Sequence, residues 1–177
     1  MMSRNARMVA SSLALLLTAL IHMPVIRAQV APAPVPFAAL REVQPAPSAS
    51  REWRITLRPA ASGENLAQLP SPTSRQLAIA RVPDRDPQLT SDSLVVLAVD
   101  ASGNTLDWQI IHDPRIVRAE SPGADGLLSG RKLMAETAEV RAVLGAADQT
   151  IELRVFLPRW TGTDWVLEPI AIARVGR

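Results

Sequence analysis

The chain has 177 residues, no cysteine, no tyrosine and 15 prolines, with 19 basic against 17 acidic side chains. The missing thiol excludes disulfides, thiolate metal sites, a cysteine nucleophile and a lipidated amino-terminal cysteine. Three of the basic residues (Arg4, Arg7, Arg27) fall in the first 28 positions, so the rest carries 16 basic and 17 acidic residues and lacks the concentrated positive surface that nucleic-acid binding needs.

Arg4 and Arg7 precede the apolar run "MVASSLALLLTALI" (residues 8–21), which "HMPVIRAQV" ends with His22, Pro24 and the small residue Ala28. A positive start, a short apolar stretch and a small exit residue form the pattern of an export signal, assigned here to residues 1–28. The run is shorter than the roughly 20 residues that span a bilayer. An uncleaved membrane anchor would need Met23, Val25 and Ile26 counted in. Ile26 stands where a small residue is preferred, which leaves the cut position open. Lys132 is the single lysine among many arginines, alanines and prolines, a usage typical of bacteria with GC-rich genes. The expected location is therefore periplasmic or secreted.

Residues 29–50 include "VAPAPVPFAALREVQPAPSAS", with five prolines. Proline donates no backbone hydrogen bond and pushes its predecessor into extended conformations, so the stretch reads as a semi-extended, disordered linker. The folded domain is expected over residues 51–177.

From there the signals are mostly period two. "EWRITLR" puts Trp53, Ile55 and Leu57 on one face and charges on the other. Residues 61–74 read as a loop with a helical turn at 64–69, and "QLAIARV" (76–82) as a short strand stopped by "PDRDP". "SLVVLAVD" is apolar on both faces, as befits a central strand covered on each side. "ASGN" turns the chain into "TLDWQIIHD", whose alternation predicts Leu106, Trp108, Ile110 and His112 facing inward. "RIVRAE" follows as a strand, and residues 121–130 hold too much glycine and proline to be regular. "AEVRAVL" and "TIELRVFLP" read as a hairpin joined by "GAADQ". The last strand is "WVLEPIAIARV", with Pro169 marking a bulge or an edge.

Seven to eight short strands without long amphipathic helices predict an all-β fold, an antiparallel β-sandwich that is immunoglobulin-like in architecture. The likeness is architectural: no cysteine pair brackets a tryptophan, and no tyrosine is present to form a tyrosine corner.

The chemistry-bearing residues are few. Beyond the leader His112 is the only imidazole, and Asp113 beside it points to the opposite face of a regular strand, so no triad is apparent. One imidazole and no thiolate do not make a zinc site. "DASGN" places Asp100, Ser102 and Asn104 at alternate positions and "PDRDP" does the same with Asp84 and Asp86, as calcium loops do, but tight turns require the same residues. No metal or cofactor is expected. Asp107, Asp113 and Glu120 supply carboxylates for a secreted carboxylate-based hydrolase, but no spacing singles out a pair.

"LPRWTGTDW" is the best binding candidate. Trp160 and Trp165 flank a glycine turn with Arg159 and Asp164 beside them, and aromatic and arginine side chains dominate binding hot spots. The competing expectation is that both indoles plug the open end of the core. The sequence thus reads as an exported non-catalytic module in contact with another envelope or secreted protein. A carbohydrate-binding module built on Trp160 and Trp165 and the hydrolase are the alternatives.

Overall fold

A computed structural model describes residues 32–43, 49–61, 66–78, 81–82, 87–122, 128–145 and 148–176. The expected export signal lies outside them.

The run "SLVVLAV" forms β5 (Ser93–Val99), and all seven of its residues are buried. A strand can be apolar on both faces only if something covers each. Leu94, Val96 and Ala98 enter one apolar cluster, and Val95, Leu97 and Val99 enter another.

β5 is central in a sheet ordered β1 (Val35–Pro36), β11 (Trp165–Arg174), β10 (Glu152–Trp160), β5 and β6 (Thr105–His112). Its sixth strand, β3 (Ala67–Leu69), runs parallel to β11, while the other pairs are antiparallel. A second antiparallel sheet has the order β4 (Thr73–Gln76), β2 (Arg51–Leu57), β9 (Ala138–Leu144). A separate two-stranded ribbon pairs β7 (Ile116–Pro122) with β8 (Leu128–Met134). The fold is all-β with antiparallel sheets, and the only described helix is α1 (Phe37–Arg41).

Trp53, Ile55 and Leu57 of β2 point as their alternation predicts, into one cluster with Val140, Ala142 and Leu144 of β9 and with Leu153, Val155, Ala171 and Ala173 of β10 and β11. The opposite face of the larger sheet is covered by α1. Phe37 and Leu40 pack on Val95, Leu97, Phe156 and Leu167.

Several expectations change here. The described residues form eleven strands, not seven or eight. Part of the stretch read as a disordered linker is ordered: Val35 and Pro36 pair with Leu167 and Val166, and α1 buries Phe37 and Leu40. Proline suits an edge strand because the missing N–H is not needed there, and two large apolar groups hold the segment down. The turn expected at residues 64–69 is strand β3 from Ala67 on, and the strand expected at 76–82 lies earlier, over Thr73–Gln76. The irregular stretch at 121–130 is strand at both described ends.

β9 and β10 do not form a hairpin. β9 pairs with β2, while β10 pairs with β5 and β11, so the chain changes sheet between them. Pro169 does mark a bulge: the pairing steps from Val155 opposite Ala171 to Phe156 opposite Pro169.

If α1 is part of the core, Phe37→Ala should lower the unfolding free energy by about 3 kcal/mol. Ala38→Ser, at the exposed neighbouring position, should leave it unchanged; urea titration of both variants checks this.

Candidate functional site

β6 carries most of the polar candidates, and a bulge decides where they point. Ala98 pairs with Asp107 but Val99 with Thr105, so Leu106 is the extra residue. The phase shift leaves Leu106 and Ile111 on the cluster shared by the two sheets, whereas Trp108 and Ile110 pack on the α1 side. The expectation that Leu106, Trp108 and Ile110 share one inward face is therefore overturned. Trp53 is the tryptophan between the sheets, and Trp108 meets Phe37 edge-on with ring centroids 5.7 Å apart.

The same shift turns Asp107 and Gln109 toward β9. The Gly145 N–H donates to Asp107 Oδ2 at 2.6 Å, and the Val143 N–H donates to Gln109 Oε1 at 2.7 Å. Two side chains from one edge strand thus occupy outward N–H groups beside another edge. Asp107 is buried, and Arg81 Nη1 balances its charge at 3.2 Å while also donating to the Trp108 carbonyl at 2.8 Å. The Trp108 N–H donates to Asp107 Oδ1 as well, at 2.7 Å.

Asp113 is equally committed. Arg115 grips it through Nε and Nη2, and the Arg115 N–H adds a third contact at 3.0 Å. His112 is exposed at the end of β6. Asp107 and Asp113 each spend their lone pairs on an arginine and backbone donors, while Glu120 lies exposed on β7. General-base work by either aspartate would require breaking these contacts first.

Asp100 closes the β5–β6 turn. Its carboxylate accepts the Ser102 N–H at 2.8 Å, the Asn104 N–H at 2.9 Å and the Asn104 side-chain amide at 3.1 Å, and Gly103 supplies the positive φ of 87°. These donors hold the carboxyl below its ordinary range, the Asn104 amide first. Asp84 and Asp86 lie outside the described residues. On the outer face of the smaller sheet, Glu52, Arg54, Thr73, Ser74 and Arg75 line a shallow cavity of about 230 Å³. Arg54 and Arg75 both bond Glu52 there and depress its pKa, two cations against one carboxylate.

The β10–β11 hairpin gathers the four predicted binding residues. Its tip is fixed by the Thr161 N–H donating to the Asp164 carbonyl at 2.9 Å, with Gly162 at φ 101°. Asp164 Oδ1 accepts the Trp165 N–H at 2.7 Å. Trp160 and Trp165 are register partners with ring centroids 5.4 Å apart and planes inclined at 58°. Trp165 is half-buried against the α1-side cluster, but Trp160 remains 52% exposed. Arg159 pairs with Glu168. One indole therefore plugs and the other is presented.

The strand expected at "RIVRAE" is β7, but its partner β8 and the ribbon they form were not expected. Six of the seven residues of β7 are exposed, as are residues 129–134 of β8. An isolated two-stranded ribbon is marginal in water, and this one is tied at its base. Asp92 binds Arg118 at 2.7 Å and Lys132 at 2.5 Å, one cation from each strand, and Ile116 is buried. Lys132 and then Arg118 hold the Asp92 carboxyl below the usual 3.8.

Two outcomes follow from these contacts. Asp107→Ala removes one partner of a buried ion pair and should lower stability by about 3 kcal/mol in urea unfolding, with Asp107→Asn milder because it keeps an acceptor. Because the Asp92 pKa is depressed by folding, its contribution is present above the usual aspartate value and is lost as pH falls through the folded one. Amide exchange in β7 and β8, normalised for intrinsic rates, should thus stay constant from pH 5 to 8 and accelerate only below about pH 4.

Comparison of the chain with protein-family models, with curated proteins and with solved structures finds no match.

Proposed function

We propose that the chain is an exported, non-catalytic β-sandwich module that recognises another envelope or secreted protein, with the β10–β11 hairpin as a contact surface. The observation that carries this reading is Trp160, a large aromatic left half-exposed on a rigid hairpin and backed by Trp165. Exposed aromatic groups on ordered scaffolds bring large contact area at little entropic cost. The sandwich architecture is supported by the single apolar cluster that draws on both larger sheets. The immunoglobulin-like likeness goes no further than that layering. Export rests on the leader pattern of residues 1–28.

Sugar binding on the same two indoles is the weaker reading. A polysaccharide lies flat across rings that share a plane, and these are inclined at 58°. A hydrolase is weaker still, because Asp107 and Asp113 are each bound to an arginine.

Trp160→Ala should cost at most about 1 kcal/mol, the scale of one exposed aromatic contact, and should abolish crosslinked partners in a pull-down from an envelope fraction. A large stability loss, or an unchanged partner set, would remove this reading.

A further inference from the structure

Among the described residues five large hydrophobic side chains are exposed, and three of them sit on the β7–β8 ribbon: Val117, Leu133 and Met134. Val117 and Leu133 are register partners, and Met134 lies opposite the buried Ile116. The apolar patch is thus concentrated at the root of a ribbon whose two strands, among the described residues, pair only with each other. β7 ends in Pro122, a residue that deters a third strand. β8 reads "LSGRKLM", with no proline and no acid. Leu133 and Met134 at its root are followed, toward the tip, by two cations, Lys132 and Arg131. Lys132 is committed to Asp92, whereas Arg131 has no ion pair among the described residues.

We infer that the free edge of β8 accepts an extended, acidic segment of another protein as a third strand. The inference rests on the recognition-module reading but uses a surface separate from Trp160. The alternation of a strand specifies the guest. Leu133 and Arg131 share one face and Met134 and Lys132 the other. A guest in register therefore needs two adjacent apolar residues beside Leu133 and Met134 and an acid beside Arg131, whereas Lys132 is already engaged by Asp92. Backbone hydrogen bonds to the edge give affinity, and the cross-strand side chains give register. The charge balance also argues against a second copy as the guest. A second copy would bring Arg131 and Lys132 on its own β8 and no acid to set beside Arg131.

The test uses the full chain, with blocked synthetic peptides TVVDETT and TVVKKTT as probes. Binding is read from backbone amide shifts on titration, with sedimentation run alongside. TVVDETT should shift residues of β8 and bind at least fivefold more tightly than TVVKKTT, a ratio expected when charge pairs across strands reverse sign. Arg131→Glu, at an exposed position, should leave the melting temperature unchanged and erase or invert that preference. Trp160→Ala should leave it intact, so failure of the hairpin reading and failure of this one are separable. Equal binding of the two peptides, shifts confined to other strands, or peptide-independent self-association that Arg131→Glu disrupts would each overturn the proposal.

Discussion

β5 has no solvent-facing side, and the rest of the architecture answers to that. Its even-numbered residues must be covered by one layer and its odd-numbered ones by another. Fully burying a valine or leucine is worth about 1.5–3 kcal/mol relative to leaving it exposed, so an uncovered face of β5 would remove several such contributions at once. The smaller sheet covers one face with Trp53, Ile55 and Leu57. Among the described residues no sheet meets the other face, and a five-residue helix drawn from proline-rich sequence fills the place. Such a helix is too short to be stable alone. It persists because Phe37 and Leu40 are buried.

Closing the layers creates a second problem, at the edges. β9 ends its sheet on one side and β6 ends the other sheet, and each edge strand leaves backbone groups without a ladder partner. Asp107 and Gln109 solve part of this by accepting N–H groups at Gly145 and Val143, at the cost of burying a carboxylate. Arg81 makes that burial tolerable. Polar residues on a nearly buried strand are here part of the closure, which leaves Asp107 unsuited to proton transfer.

By contrast, the two surfaces proposed for recognition are those the closure does not use. The β10–β11 hairpin extends past the core and holds Trp160 out, and the β7–β8 ribbon stands on an ionic clamp at Asp92 with Val117, Leu133 and Met134 exposed. Both are rigid at the base and open at the periphery, a division of labour common where a scaffold presents binding groups.

The period-two pattern determined β2, the doubly buried β5, the β5–β6 turn, the Pro169 bulge and the gathering of Arg159, Trp160, Asp164 and Trp165 on one hairpin. Each depends on neighbours close in sequence, where side-chain alternation and turn residues act directly. The facing of Trp108 was not legible, because one inserted residue at Leu106 inverts every later side chain and a bulge has no residue signature there. Nor was the sheet switch between β9 and β10, since adjacent strands of compatible pattern look like a hairpin until their partners are known. The order of Val35–Arg41 and the isolation of β7–β8 were likewise decided by tertiary structure. Local composition reports what a segment tends to do, whereas burial depends on which distant face has room for its apolar groups.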